Sequence, residues 1–246
     1  RARLRRAAEL AALQQGDAQR KALWERFVGI SRADAEAIYE RMNVSFDTWH
    51  GESFYHDDLP GIVEDLQARG LARESEGAIA VFFEDIEKMA DKPFLIRKSD
   101  GAFLYATTDL ATLNYRLKHY APTRVIYVVD VRQSLHFNQL FETFRRMGNQ
   151  LELSHVGFGM MLGADGRPFR TRDGGTITLS ALLDEAESRI LPKVEEKWPG
   201  STSEERSAIA SEVGIGAVKY ADLSHNLTTD YRFEWDKLLA ADGNTG

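Results

Sequence analysis

The run Arg124-Val-Ile-Tyr-Val-Val-Asp130 sets the tightest constraint on the fold of this chain. Its β-branched and aromatic residues follow one another without polar alternation, the pattern of a strand buried on both faces of a parallel sheet. A parallel partner must be reached by a crossover of a dozen or more residues. The sequence supplies one: Phe137, Leu140, Phe141, Phe144 and Met147 recur at helical spacing, and Gly148 closes the helix. A second strand is expected at about 154–160, followed by the glycine-rich loop from Gly163 to Gly175 and a helix from near Ser180. The alternation defines an α/β fold, here an incomplete doubly wound, Rossmann-like parallel sheet.

Before this unit the spacing is helical from Arg3 to Met42, with a break at Gly16-Asp17. Ser31 and Asp34 have the spacing of a capping box inside it. Pro60 and Gly70 bracket a short helix over 61–69. Residues 78–83 and 94–96 read as strands, and Lys98-Ser-Asp-Gly101 should turn the second back onto 102–105. Thr108 is a candidate cap for a helix over 109–119, and Thr202 with Glu205 is a second capping box opening a C-terminal helix. The expected organisation is a helical and α+β insertion region over 1–92, a Rossmann-like nucleotide-binding unit with the glycine-rich loop over 93–179, and a helical region over 180–246.

A hydrophobic fraction of 43% and a charged fraction of 28% fit a globular chain and argue against disorder. No stretch approaches the ~20 apolar residues that span a bilayer, so no membrane association and a cytoplasmic location are expected. The lack of cysteine excludes disulfides and thiolate metal sites, and the six histidines are scattered, so no structural metal is expected. A net charge of -7 confines any nucleic-acid contact to local patches. The basic start, Arg1 to Arg6, reads as a solvated helix end or as a binding arm.

Ligands of open α/β sheets bind beyond the carboxyl ends of the strands, which directs attention to the loops after Tyr105, Asp130 and Met160. Asp109 can cap its helix, or, with the phenol of Tyr105 and the amide of Gln133, can hold a guanidinium through paired N–H bonds. His136 stands near a helix start, where a satisfied histidine and a ligand-binding one look alike. Phe158 and Met160 can be core filling or the wall of a site, and the loop Phe169-Arg170-Thr171-Arg172 can be a solvated turn or a phosphate clamp.

Tyr105-Ala-Thr-Thr-Asp109-Leu-Ala111, then Asp130-Val-Arg-Gln133-Ser-Leu-His136, then Gly157-Phe-Gly-Met-Met-Leu-Gly163 and Arg167-Pro-Phe-Arg-Thr-Arg-Asp-Gly-Gly175 occur in that order. The ordered set resembles the central stretch of class I arginyl-tRNA synthetases. The likeness continues through Ala217-Val-Lys-Tyr-Ala-Asp-Leu-Ser224 and Asp230-Tyr-Arg-Phe-Glu-Trp235 to Gly243-Asn-Thr245. It implies that Tyr105, Asp109 and Gln133 recognise substrate arginine, with Asp109 the guanidinium partner. It also implies that His136, Phe158, Gly159 and Met160 lie at ATP. Residues Phe169, Arg170, Thr171 and Arg172 stand where the family carries its form of the class I Lys-Met-Ser-Lys-Ser loop, with arginines and a threonine departing from that consensus.

The implied reaction is ATP-dependent activation of L-arginine, with Mg2+ accompanying the nucleotide, and transfer to tRNA-Arg. No His-x-Gly-His, the other class I signature, occurs in the sequence. The expectation is therefore a piece of a larger, monomeric ligase that lacks one wall of the ATP site, is inactive alone, and meets tRNA mainly through other regions. The competing expectations are a synthetase-derived arginine-binding module without catalysis, and an unrelated nucleotidyl-transfer enzyme for a cationic substrate.

Overall fold

The computed structural model describes Glu9, Ala12, Leu13 and residues 17–163, 165–167 and 178–238. The chain divides into two compact units, one of residues 48–169 with 223–234, the other of residues 1–47, 170–222 and 235–246.

The first unit carries the sheets. A 3-10 segment, Glu52–Asp58, leads into α2, Leu59–Ala68, which has Pro60 in its first turn and Gly70 at φ 69° beyond its end. Both punctuation residues act as the sequence suggests. Strands β1 (Ala72–Ser75), β2 (Ala78–Val81) and β3 (Phe94–Arg97) form an antiparallel sheet in that order. Strand β1 was not anticipated, because its alternation is nearly all polar: only Ala72 is buried. The turn at 98–101 forms, with Gly101 N–H donating to the Lys98 carbonyl and Lys98 N–H to that of Ala102. The expected return strand shrinks to a single bridge, Arg97 to Phe103, because a helix takes over at Tyr105.

That helix, α3, spans Tyr105–Tyr120 and has Leu104, not Thr108, at its N-cap. Thr107 explains the earlier start. Its buried hydroxyl donates to the Ile96 carbonyl at 2.6 Å and fixes the first turn to β3. Strand β4, Arg124–Asp130, occupies the expected range. It pairs in parallel with β5, Glu152–Phe158, from Arg124 opposite Glu152 to Asp130 opposite Phe158. The crossover is a short 3-10 turn, Val131–Gln133, and α4, Ser134–Arg146.

Helix α4 buries Phe137, Leu140 and Phe144, which pack with residues of α2, α3 and the strands in one apolar core. Each such side chain contributes roughly 1.5–3 kcal/mol by leaving water. Only one face of β4 joins this core. Val125 is buried and Tyr127 and Val129 pack against it, while Ile126 and Val128 are 51% and 65% exposed. Burial on both faces is thus not seen among the described residues: the core lies on the Val125, Tyr127 and Val129 side of this two-stranded sheet. Two short strands, β6 (Met161–Leu162) and β7 (Tyr231–Arg232), pair in parallel just beyond β5.

The second unit is helical. Helix α1, Ala18–Arg41, begins where Asp17 accepts from the Arg20 amide and runs without interruption through Ser31 and Asp34, so no capping box forms there. Helix α5, Leu179–Lys197, is capped by the Thr178 hydroxyl, which accepts from the Ala181 amide. Helix α6, Ser203–Ser224, opens with the anticipated reciprocal cap: Glu205 N–H donates to Thr202 Oγ1, and Thr202 N–H to the Glu205 carboxylate. Gly214 lets α6 come against α5, since a Cβ there would stand 3.0 Å from the Ala186 carbonyl carbon. A short helix, α7, covers Trp235–Leu238.

The observed architecture is α/β, with an incomplete Rossmann-like parallel unit preceded by an α+β region and followed by helices.

Candidate arginine and nucleotide site

In-register parallel pairing of β4 with β5 places Asp130 and Phe158 side by side, so the segments that follow both strands leave from one edge of the sheet. Helix α3 brings its first turn to this region. Asp109 is one turn into α3 and His136 is in the first turn of α4, and His136 Nε2 donates to Asp109 Oδ2 at 2.6 Å. A carboxylate can only accept, so the imidazole carries its proton on Nε2. Both side chains are partly buried, with 29% and 27% of their surface exposed. The imidazole is set edge-on to the Phe137 ring and tilted against that of Phe94, at 5.2 and 5.5 Å between centroids.

Tyr105 lies four residues before Asp109, on the same helix face, and is 67% exposed. Gln133 ends the 3-10 turn and is exposed. Among the described residues no hydrogen bond ties either of them to Asp109 or His136. The structure therefore brings one pair of the sequence-expected residues into contact and leaves Tyr105 and Gln133 with their polar ends open.

Asp130 has a structural task. Its Oδ1 accepts from the Arg132 amide at 2.8 Å and from Arg132 Nε at 2.9 Å, with a further bond from Nη2 to Oδ2. The guanidinium and amide of Arg132 hold the Asp130 carboxyl down to about 2, so it stays ionised and committed to shaping the turn that presents Gln133 and His136. The spacing Asp-x-Arg encodes this clamp, a signal readable in the sequence but assigned there to a possible site.

At the end of β5, Phe158 is 41% exposed and Met160 is half-buried. The chain's own residues account for glycine at 159. A Cβ there would overlap the Thr229 carbonyl and stand 2.7 Å from the Asp230 nitrogen. The same segment is bonded on: Gly159 N–H donates to the Leu227 carbonyl and Met160 N–H to Asp230 Oδ1, both at 2.7 Å. Asp230 was part of the quoted motif without a role, and it proves to be the side chain that fastens 226–232 to the strand end.

A second residue had no sequence signal at all. Among the described residues the buried Tyr127 hydroxyl has no hydrogen-bond partner, and burial, the main cause, together with the nearby Asp109 charge, keeps it protonated well above its ordinary range. Residues Phe169, Arg170, Thr171 and Arg172 lie outside the described residues. A concavity of about 630 Å³ lined by Met89, Phe141, Leu151 and Arg145, among others, includes none of the site residues named above. Among the described residues no group of three or more His, Asp or Glu is placed to hold a metal ion.

A helix start and two parallel strand ends that gather a carboxylate, an imidazole and open polar groups have the arrangement of a class I tRNA synthetase catalytic domain. The model of tRNA synthetases class I (R), catalytic domain, matches residues 4–235, and the chain belongs to that arginine-specific family. It is 48% identical over 240 residues to the arginine-tRNA ligase of Chromobacterium violaceum and 50% identical over 240 residues to that of Laribacter hongkongensis; each alignment covers 95% of this chain and 42% of the relative. The crystal structure of arginyl-tRNA synthetase from Plasmodium falciparum superposes with a TM-score of 0.81 at 27% identity, over 96% of this chain and 40% of that one. The arginyl-tRNA synthetase of Thermus thermophilus shares the fold, with a TM-score of 0.77 at 22% identity, over 100% of this chain and 46% of that one. The chain thus spans about 42% of the length of the curated relatives it matches.

Proposed function

We propose that this chain supplies the arginine-reading wall of an arginine-tRNA ligase, whose reaction is ATP-dependent activation of L-arginine and transfer to tRNA-Arg. The observation that carries the reading is the Asp109 carboxylate. It is half-buried at the start of α3, and Oδ1 accepts no hydrogen bond among the described residues while Oδ2 is held by His136. A guanidinium fits this need, since it brings a positive charge and N–H donors to the free oxygen. Tyr105, on the same helix face, and Gln133, at the next turn, are the groups assigned to the rest of the arginine side chain.

In the complete reaction the arginine carboxylate attacks the α-phosphorus of ATP, pyrophosphate leaves, and the resulting adenylate passes its arginyl group to the terminal ribose of tRNA. This chain's part is to bind and orient arginine, which lowers the barrier by positioning. Phe158 and Met160 are assigned to the adenine, and Arg170 and Arg172 to charge developing on the leaving pyrophosphate. Mg2+ belongs in this scheme as the counter-ion of ATP. The three-part organisation, 1–92, 93–179 and 180–246, is kept as a proposal for how insertion, second Rossmann half and helical region divide the work.

Calorimetry tests the reading. The chain should bind arginine and reject citrulline, which has the same shape without the charge, and Asp109→Ala should abolish arginine binding. Retention of full affinity in that variant would overturn it. A non-catalytic arginine-binding module predicts the same binding but no ATP-pyrophosphate exchange when the remaining part of the ligase is added in trans.

A further inference from the structure

We infer that His136 is a positioning residue for the arginine substrate, holding Oδ2 of Asp109 so that Oδ1 alone meets the guanidinium. This rests on the assignment of Asp109 to arginine. It moves His136 from the nucleotide to the amino-acid side of the site.

The argument starts from the helix starts. Asp109 and His136 belong to different helices, α3 and α4, so their 2.6 Å bond fixes one helix start against the other as well as fixing a rotamer. The imidazole cannot turn freely. Phe94 of β3 and Phe137 of α4 pack on it, and Phe137 is itself buried. As a donor on Nε2, His136 orients the carboxylate through Oδ2 and leaves Oδ1 available to a cationic substrate. Oδ1 accepts nothing else among the described residues, so the pinned carboxylate offers one oxygen in one place. Fixing a carboxylate before binding removes an ordering cost that the ligand would otherwise meet, of the size of one immobilised side chain. In affinity this is about 3- to 10-fold.

Three variants of the chain separate the possibilities by calorimetry, with thermal melting as the check on folding. His136→Phe keeps a ring between Phe94 and Phe137 but removes the donor, and should weaken arginine binding about 3- to 10-fold while leaving discrimination against citrulline largely to Asp109. His136→Gln retains an N–H donor and should recover most of that loss. The imidazole 15N spectrum of the wild type should show the Nε2–H tautomer, and Asp109→Asn should alter it. Unchanged arginine affinity in His136→Phe would overturn the inference, as would equal losses in the Phe and Gln variants or a loss confined to ATP. Wild-type chain that binds no arginine would overturn the proposed function itself, whereas arginine binding abolished by Asp109→Ala but indifferent to His136 would leave that function standing and remove only this inference.

Discussion

Asp130 and Gly159 each have a structural task within the fold, one through its side chain and one through having none. The Asp130 carboxyl is held at about 2 against an ordinary value of 3.8, first by the Arg132 side chain and then by its amide. A depressed folded-state value stabilises the protein above the unfolded value and is lost as pH falls through the folded one. The clamp is therefore complete above 3.8 and fails only as the pH approaches about 2. A carboxyl-carbon NMR titration should place the Asp130 midpoint near 2, and Arg132→Ala should return it toward 3.8; a wild-type midpoint at the ordinary value would remove the clamp from the argument.

Gly159→Ala has a different consequence. Its added Cβ must displace the Thr229–Asp230 backbone, an overpacking that costs about 1–3 kcal/mol. Chemical denaturation should show this, with a loss under about 0.5 kcal/mol counting against it. Both residues stood in the motif string, but a string records neighbours along the chain. The Asp130 partner is two residues away and could be read there; the backbone that Gly159 faces is some seventy residues on and could not.

Elements were legible where local chemistry dictates them. The apolar stripe of α4 with Gly148, the β-branched run of β4, and the Thr202–Glu205 box each carry their own signal, and each formed as expected. Those that failed did so for two reasons, a tertiary contact at α3 and helix continuity in α1. The bond from Thr107 to the Ile96 carbonyl pulls the start of α3 forward, and Ser31 and Asp34 are absorbed into a continuous helix. The same logic says which element carries the fold of the sheet unit. Phe144 on α4 is 1% exposed in a core shared with α2, α3 and β3. Phe144→Ala should cost about 3–5 kcal/mol through lost burial and an unfilled cavity. A denaturant midpoint shifted by less than about 1 kcal/mol would mean that α4 is not what the unit folds around.

At the scale of the molecule, burial is unevenly distributed among the elements. The sheet unit encloses a core running from Tyr55 to Met147, and α5 and α6 of the helical unit bury Leu182, Leu183, Ile190, Val194 and Val218. Helix α1 is the exception. Leu23 and Phe27 belong to the helical spacing of the first forty residues, yet they are 49% and 59% exposed, and no residue of α1 is buried. Helical periodicity reports that a face exists, not that anything covers it. Among the described residues α1 is tied on by polar contacts: Arg41 pairs with Asp184 and Glu187 at 2.8 and 2.9 Å, and Lys219 Nζ donates to the Met42 carbonyl. Pairs of this kind are worth roughly 0–1 kcal/mol each and weaken in salt. Local opening of α1 should therefore be far easier than opening of α3 or α4. Hydrogen exchange should find the α1 amides exchanging orders of magnitude faster than those of α4, and faster again in Arg41→Ala or at high salt, with the sheet unit unaffected. Protection of α1 equal to that of α4 would show that burial, and not these ion pairs, decides how this helix is held.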